Sequence, residues 1–113
     1  HVGLHLNNRL KKKKEFSYVY KRGVSHANNL FVVYVVPTKY AESKFGISVS
    51  ARVGKSFVRS RVKRVLSEAI RLNVDKIKVN NYVFVARAEM ANADFHLTQN
   101  VLLSSFREWG LLC

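Results

Sequence analysis

Residues 30–36 form a run of seven consecutive apolar residues that ends at Pro37. β-Branched and aromatic side chains dominate the run, and this composition favours a well-buried β-strand. The run is far too short to span a bilayer. A strand of this kind must be covered by other elements, so the sequence predicts a small sheet with helices packed on it.

Two more strands are predicted, at residues 45–51 and 82–88. In the first of these, apolar and small polar residues alternate. One face carries Phe45, Ile47, Val49 and Ala51, and the other carries Gly46, Ser48 and Ser50. Residues 38–44, between this strand and the one before it, are a polar connection of hairpin length.

Capping signals and periodicity predict three helices. The first covers residues 11–22, with Asn7 or Asn8 as its N-cap and Gly23 as a left-handed C-cap. The second runs from an N-cap at Ser56 to about residue 73. The third begins at a cap on Asp94 and ends at Gly110.

The order helix, strands, helix, strand, helix predicts an α+β fold in the form of an α/β sandwich. A length of 113 residues is enough for one modest core, so residues 1–113 are expected to form a single domain. Residues 1–6 are expected to be disordered or not to belong to the natural protein.

The net charge of +13 is confined to one part of the chain. Residues 1–64 hold 15 Lys and Arg against 2 Asp and Glu, whereas residues 65–113 hold five of each kind. Such segregation indicates a binding face. Nucleic acid is the partner that it favours, and an anionic membrane surface is the main alternative.

A dense row of cations begins before the second helix and continues along it. The row consists of Arg52, Lys55, Arg59, Arg61, Lys63 and Arg64, with no acidic residue among them. At 100° per residue, the residues that point away from the apolar stripe of the helix are Arg61, Lys63, Arg64 and Arg71. Because neighbouring cations repel one another unless an anion relieves them, this row is predicted to contact phosphates. The alternative, a merely solvated face, usually interleaves Glu with Lys.

Aromatic residues flanked by cations form a second candidate site. Phe16 and Tyr20 share one face of the first predicted helix, and Tyr34 lies in the strand that follows. Aromatic faces framed by cations hold single-stranded nucleic acid. The small polar face of Ser48 and Ser50 suits the floor of an open groove, although plain core packing of the aromatics is the alternative. The basic residues near the first helix are Arg9, Lys11, Lys12, Lys13 and Lys14.

The sequence contains no pattern typical of a catalytic site. Its histidines are scattered and its acidic residues are isolated, so neither a zinc site nor a two-metal nuclease site is predicted. We expect the chain by itself to be non-catalytic and to hold no metal or cofactor. Cys113 is the only cysteine, which fits a reducing, cytoplasmic setting.

The run at residues 55–69 resembles the signature of the bacterial ribonuclease P protein subunit, approximately R-N-R-x-K-R-x-x-R-E/Q after a K-x-G turn. The matching residues are Arg52, Gly54, Arg59, Arg61, Lys63, Arg64 and Glu68. N-R-L-K-K at 8–12, Phe16, Gly23, the S-x-A-N at 25–28 and G-I-S-V-S at 46–50 extend the resemblance over most of the chain. Ser60 stands where the family usually has Asn, and Ser67 stands where it usually has Arg.

The resemblance implies a mixed sheet with a left-handed β-α-β crossover, like domain 2 of ribosomal protein S5. It also implies that a catalytic RNA, with Mg²⁺ held by that RNA, removes the 5′ leader of precursor tRNA. The catalytic RNA would contact Arg52, Lys55, Arg59, Ser60, Arg61, Lys63, Arg64 and Arg71. The leader would lie between the first helix and the sheet, against Phe16, Tyr20, Tyr34, Ser48 and Ser50.

Two other functions are compatible with the basic helix. A ribosomal or RNA-chaperone protein would use it on RNA without any preference for a 5′ leader. A membrane-surface protein would bind liposomes even after nuclease treatment, but the predicted helix lacks the exposed Trp, Phe or Leu edge of such helices. The partners that we expect are therefore the catalytic RNA and precursor tRNA, with neither a membrane nor an obligate protein partner.

Overall fold

The computed structural model describes residues 9–10 and 12–113. The elements are α1 (Lys13–Arg22), β1 (Val24–Ala27), β2 (Phe31–Val36), β3 (Lys44–Ser48), α2 (Ser56–Asn73), β4 (Asn81–Ala86) and α3 (Phe95–Glu108). Two short 3₁₀ helices, Val74–Lys76 and Ala88–Asn92, follow α2 and β4. Among the described residues, no helix is long and apolar enough to cross a membrane.

The four strands form one mixed sheet in the order β1-β2-β4-β3. β1 with β2 and β2 with β4 are antiparallel, whereas β3 and β4 are parallel and α2 lies in the connection between them. This parallel pair with its helix is the β-α-β unit of the expected α+β fold. The expectation of a hairpin at residues 38–44 is wrong, because β4 lies between β2 and β3. A connection of hairpin length does not by itself determine which strands pair.

The sheet is covered on both faces, which explains why β2 is apolar throughout. On one face, Phe31, Val33 and Phe84 pack in the main core with residues of α2 and α3. On the other face, Val36 and Val83 form a smaller core with Val19 of α1. Five of the six side chains of β2 therefore alternate between two cores, which favours apolar residues on both faces, and Val32 packs in neither core.

Gly23 ends α1, but the predicted left-handed cap is wrong. Its φ is −79°, an ordinary extended value, and its N–H donates to the Val19 carbonyl at 2.8 Å. A Cβ at this position would lie 2.5 Å from the Val19 carbonyl oxygen and 3.0 Å from that of Val35. Glycine is therefore needed for the close approach of α1 to β2, and not for backbone conformation.

The other helix ends follow their signals more closely. The Asp94 carboxylate accepts from the Leu97 N–H at 2.8 Å, and Gly110 has a φ of +72°, so both predicted limits of α3 are confirmed. α2 ends at Asn73 as predicted, but its N-cap is Lys55 and Ser56 is its first helical residue. α1 begins at Lys13, where the Lys12 N–H donates to the Glu15 carboxylate at 3.0 Å. The predicted caps Asn7 and Asn8 lie outside the described residues.

The predicted strands were too long at their C-terminal ends, and β1 was not predicted. β3 stops at Ser48 and β4 stops at Ala86, beyond which the chain turns away from the sheet. β1 is a short edge strand of mostly exposed residues, Val24–Ala27, so it lacks the apolar pattern that identifies a strand. β1 forms because its backbone pairs with the otherwise unpaired edge of β2, and this pairing depends on the tertiary structure.

Candidate RNA-binding surfaces

One surface is the solvent-facing side of α2 with the turn before it. Val62, Leu66 and Ala69 are buried against the sheet, which leaves the opposite side of the helix in solvent. The exposed polar residues of this side and of the preceding turn are Arg52, Lys55, Ser60, Arg61, Lys63, Arg64 and Arg71, and Arg59 is half-buried. We call these eight residues the cationic face.

Three members of the cationic face are engaged within the protein. Arg59 donates from Nε to the Gly54 carbonyl at 3.2 Å. Arg61 donates to the carbonyls of Ala91 and Ala93, which follow the last strand of the sheet. Arg71 pairs with Glu68, and the hydrogen bond and negative charge of that carboxylate raise the pKa of Arg71.

Within the part of the chain that the structure describes, the side chains of the remaining four cations have no hydrogen bond or ion pair to another residue. They are Arg52, Lys55, Lys63 and Arg64. An exposed cation without a partner keeps its full charge for an external anion. All seven cations look equivalent in the sequence. Only the tertiary contacts distinguish the three whose side chains are bonded within the protein from the four whose side chains are not.

A second surface is the open part of the sheet beside α1. Strand register aligns Ala27, Val32, Val85 and Ser48 in one row across the four strands. Val32, Val85 and Ser48 are only half-buried and Ala27 is exposed, because α1 lies over the neighbouring rows. The row is therefore the floor of a groove, with α1 as its wall, and we call it the groove floor.

Phe16 and Tyr20 face this groove from α1. The Phe16 ring lies over Gly46, where a Cβ would come within 2.6 Å of it. Tyr20 meets Tyr34 edge to face, with ring centroids 5.0 Å apart and planes at 87°. Tyr20 is 40% exposed and Tyr34 is half-buried, so the pair combines packing with an accessible aromatic surface.

Four of the five residues predicted to hold a leader thus share one face of the sheet: Phe16, Tyr20, Tyr34 and Ser48. Ser50 does not belong to it, because β3 has ended and the Ser50 carbonyl accepts from the Val53 N–H in a turn. Sequence reasoning missed Val32 and Val85, since the apolar run in β2 and β4 predicts burial but not which row stays uncovered.

The predicted basic residues near α1 are distributed around its start. Arg9 is exposed and forms an isolated bridge with Phe45, which places it beside the edge strand β3. Lys12, Lys13 and Lys14 are exposed at the first turn of α1. Lys11 lies outside the described residues.

The cationic face and the groove meet at one end of the sheet. β3 and β4 are parallel, and Ser48 and Val85 lie near the C-terminal ends of these strands. The chain leaves β3 at this end and reaches α2 through residues 49–55, which contain Arg52 and Lys55. A polymer lying in the groove can therefore continue toward the first turn of α2.

One exposed residue on α2 had no sequence signal. Phe57, in the first turn, is 73% exposed. Leu72, in the last turn of α2, is also 48% exposed. The two side chains lie at opposite ends of the helix and do not form the continuous apolar edge of a membrane-surface helix. Both residues fall within an apparently amphipathic sequence, and only packing shows that they are left out of the core. Among the described residues, no group of three or more His, Cys, Asp or Glu side chains is placed to hold a metal ion.

Comparison with known proteins agrees with the geometry. The sequence profile of the family described as Ribonuclease P matches residues 4–109. The Ribonuclease P protein component of Clostridium botulinum strain 657 is 41% identical over 106 residues, which cover 92% of this chain and 96% of that protein. The component from Alkaliphilus metalliredigens is 40% identical over 107 residues, covering 94% and 96%. The RNase P protein of Staphylococcus aureus superposes with a TM-score of 0.85 at 29% identity, covering 94% of this chain and 98% of that one. The sequence signature, the fold and these relatives agree, and the chain therefore belongs to the family of bacterial ribonuclease P protein components.

Proposed function

We propose that this protein binds the catalytic RNA of ribonuclease P through the cationic face and holds the single-stranded 5′ leader of precursor tRNA in the groove beside α1. The observation that supports this most directly is the arrangement of the two surfaces. Four cations whose side chains have no partner among the described residues lie on and before α2, and the aromatic groove opens at the same end of the sheet. One protein can then contact both RNA molecules at once.

The chemistry of each surface matches its proposed ligand. Folded RNA presents closely spaced phosphates, which exposed Arg and Lys side chains neutralise with release of counterions. A single-stranded leader presents unpaired bases, which stack on exposed aromatic rings such as Tyr20. In this proposal the RNA carries out hydrolysis with its own Mg²⁺, in the cytoplasm, and the protein increases the affinity for precursor tRNA.

The decisive experiment measures cleavage of precursor tRNA by a bacterial ribonuclease P RNA at low Mg²⁺, with and without the protein. We expect cleavage at the leader junction to be restored by the protein and absent when the protein is added without the RNA. Protein-dependent positive charge replaces part of the screening that extra Mg²⁺ would otherwise provide. RNA binding without any gain in cleavage would favour a ribosomal or RNA-chaperone protein instead.

Matched variants assign the effect to the cationic face. Lys63→Ala and Arg64→Ala remove cations that have no internal partner, and we expect each to weaken binding to the catalytic RNA. Lys76→Ala removes an exposed cation from the part of the chain that has no net charge, and serves as the control. Equal losses for all three variants would indicate a general effect of charge and contradict a specific face.

A further inference from the structure

Phe57 is the most exposed of the large hydrophobic side chains that lie on the surface in the described residues. It is 73% exposed, compared with 65% for Tyr40 and 57% for Tyr18. Single apolar residues on a surface are common and require no explanation by themselves. What distinguishes Phe57 is that the ring has no polar atom to interact with water and is set among cations.

The helix geometry defines the surroundings of the ring. Ser60, Arg61 and Arg64 follow Phe57 at i+3, i+4 and i+7, so they lie on the same side of α2. Lys55 and Arg52 precede it in the turn before the helix. The only acidic residue of α2 is Glu68, three turns away, and Arg71 already pairs with it. Within α2 and the turn before it, the ring therefore has basic neighbours and no carboxylate closer than Glu68.

This combination selects among possible partners. An apolar protein surface placed on Phe57 would have to desolvate Arg61 and Arg64 without providing anions, which is unfavourable. An unpaired nucleotide provides both a flat π surface for the ring and phosphates for the cations. Charge complementarity therefore favours single-stranded nucleic acid over a second copy of this chain.

The position of Phe57 adds a reason from topology. It lies in the first turn of α2, at the end of the sheet where the groove floor residues Ser48 and Val85 lie. Arg61, one turn later, is fixed by its hydrogen bonds to the Ala91 and Ala93 carbonyls. Arg61 is thus a fixed basic residue on the same side of α2 as Phe57.

We infer that Phe57 stacks on an unpaired base of ribonuclease P RNA and is an RNA-contacting residue of the cationic face. The inference rests on the proposed function, and it adds a base contact to a surface whose other members contact phosphates. Base stacking on an aromatic side chain changes the dissociation constant by about 5- to 100-fold when the ring is removed.

The test measures binding of the full protein to ribonuclease P RNA over a range of salt concentrations. Phe57→Leu keeps the apolar surface but removes the π system, and we expect it to weaken binding by about 5- to 100-fold. Phe57→Trp keeps stacking and is expected to bind at least as tightly as the original protein. The salt dependence should be unchanged in Phe57→Leu, whereas Arg64→Ala should lower the slope by about 1.

Tyr40→Ala is the matched control, because it removes an aromatic residue of similar exposure from the loop between β2 and β3. Phe57→Leu should leave the midpoint of thermal unfolding unchanged, since the ring makes little contact with the core. The inference would be overturned if Phe57→Leu bound RNA as tightly as the original protein. It would also be overturned if Phe57→Leu changed only the oligomeric state of the protein and left RNA binding unaffected. If Arg64→Ala also binds normally, the proposed function itself has failed. If only Arg64→Ala binds weakly, the base contact alone is wrong.

Discussion

At the scale of single residues, the structure separates residues that look equivalent in the sequence. Gly23 and Gly110 both end helices, but Gly110 has a φ of +72° and open space around it, whereas Gly23 has an ordinary φ and no room for a Cβ. Arg61 and Lys63 both belong to the cationic face, but only Arg61 is bonded to backbone carbonyls. Each difference leads to a measurable prediction.

We expect Gly23→Ala to be more destabilising than Gly110→Ala. At Gly23 the new Cβ meets two backbone carbonyl oxygens that cannot move independently of α1 and β2, so the free energy of unfolding should fall by about 2–3 kcal/mol. At Gly110 the only cost is the left-handed backbone, about 1 kcal/mol. Urea denaturation of both variants measures the difference. The reverse order would show that α1 can move away from the sheet at low cost.

Arg61→Ala is expected to affect both folding and RNA affinity. Loss of the hydrogen bonds to the Ala91 and Ala93 carbonyls should lower the free energy of unfolding by about 1 kcal/mol. Lys63→Ala should leave stability within about 0.5 kcal/mol, because Lys63 has no described partner within the protein, and should weaken RNA binding alone. Thermal unfolding and RNA titration of the same two samples separate these effects. Identical stability of the two variants would contradict the structural role of Arg61.

At the scale of secondary-structure elements, the groove is made by α1 covering only part of the sheet. Phe16 and Val19 cover the row that contains Gly46 and Val83, and the row of Val32 and Val85 is left half-buried. Close packing of α1 depends on the missing side chains of Gly23 and Gly46. The width of the groove is thus determined by a helix-to-sheet distance and not by any one side chain.

Tyr34→Ala should reduce the preference for precursor over mature tRNA in the ribonuclease P complex. The substitution removes a ring from the groove and the edge-to-face partner of Tyr20, so leader affinity should fall by about 5-fold or more. Affinity for mature tRNA should not change. Tyr18→Ala is the control, because Tyr18 is 57% exposed on the opposite side of α1. A preference ratio that is unchanged in Tyr34→Ala would show that this tyrosine only packs.

At the scale of the whole molecule, the charge is segregated. The excess of +13 belongs to the first 64 residues, which include α1, β1, β2, β3 and the first half of α2. Folding places these cations on both sides of a single small sheet, because α1 and α2 cover its opposite faces. The folded protein therefore carries a repulsion that an RNA partner relieves.

Added NaCl is expected to have opposite effects on stability and on RNA binding. Raising the concentration from about 10 to 200 mM screens the repulsion between cations, so the midpoint of thermal unfolding should increase. Over the same range the affinity for RNA should fall steeply, since the free energy gained by releasing each counterion decreases as the bulk salt concentration rises. Differential scanning calorimetry and filter binding in matched buffers test both parts. An affinity that does not depend on salt would contradict phosphate contacts by the cationic face.

The sequence by itself determined the elements whose residues carry their own signals. Periodicity predicted α2 with its apolar stripe, and the Asp94 and Gly110 signals predicted both limits of α3, because helix patterns and caps depend on local geometry. The signature at residues 55–69 also identified the family. Only the tertiary structure decided the strand order, the existence of β1 and the row of the sheet that stays open, since these depend on contacts between residues distant in the chain. Among the described residues, the same contacts decided that the Arg59, Arg61 and Arg71 side chains have partners. They also decided that the Lys63 and Arg64 side chains have none there and that Phe57 is left in solvent.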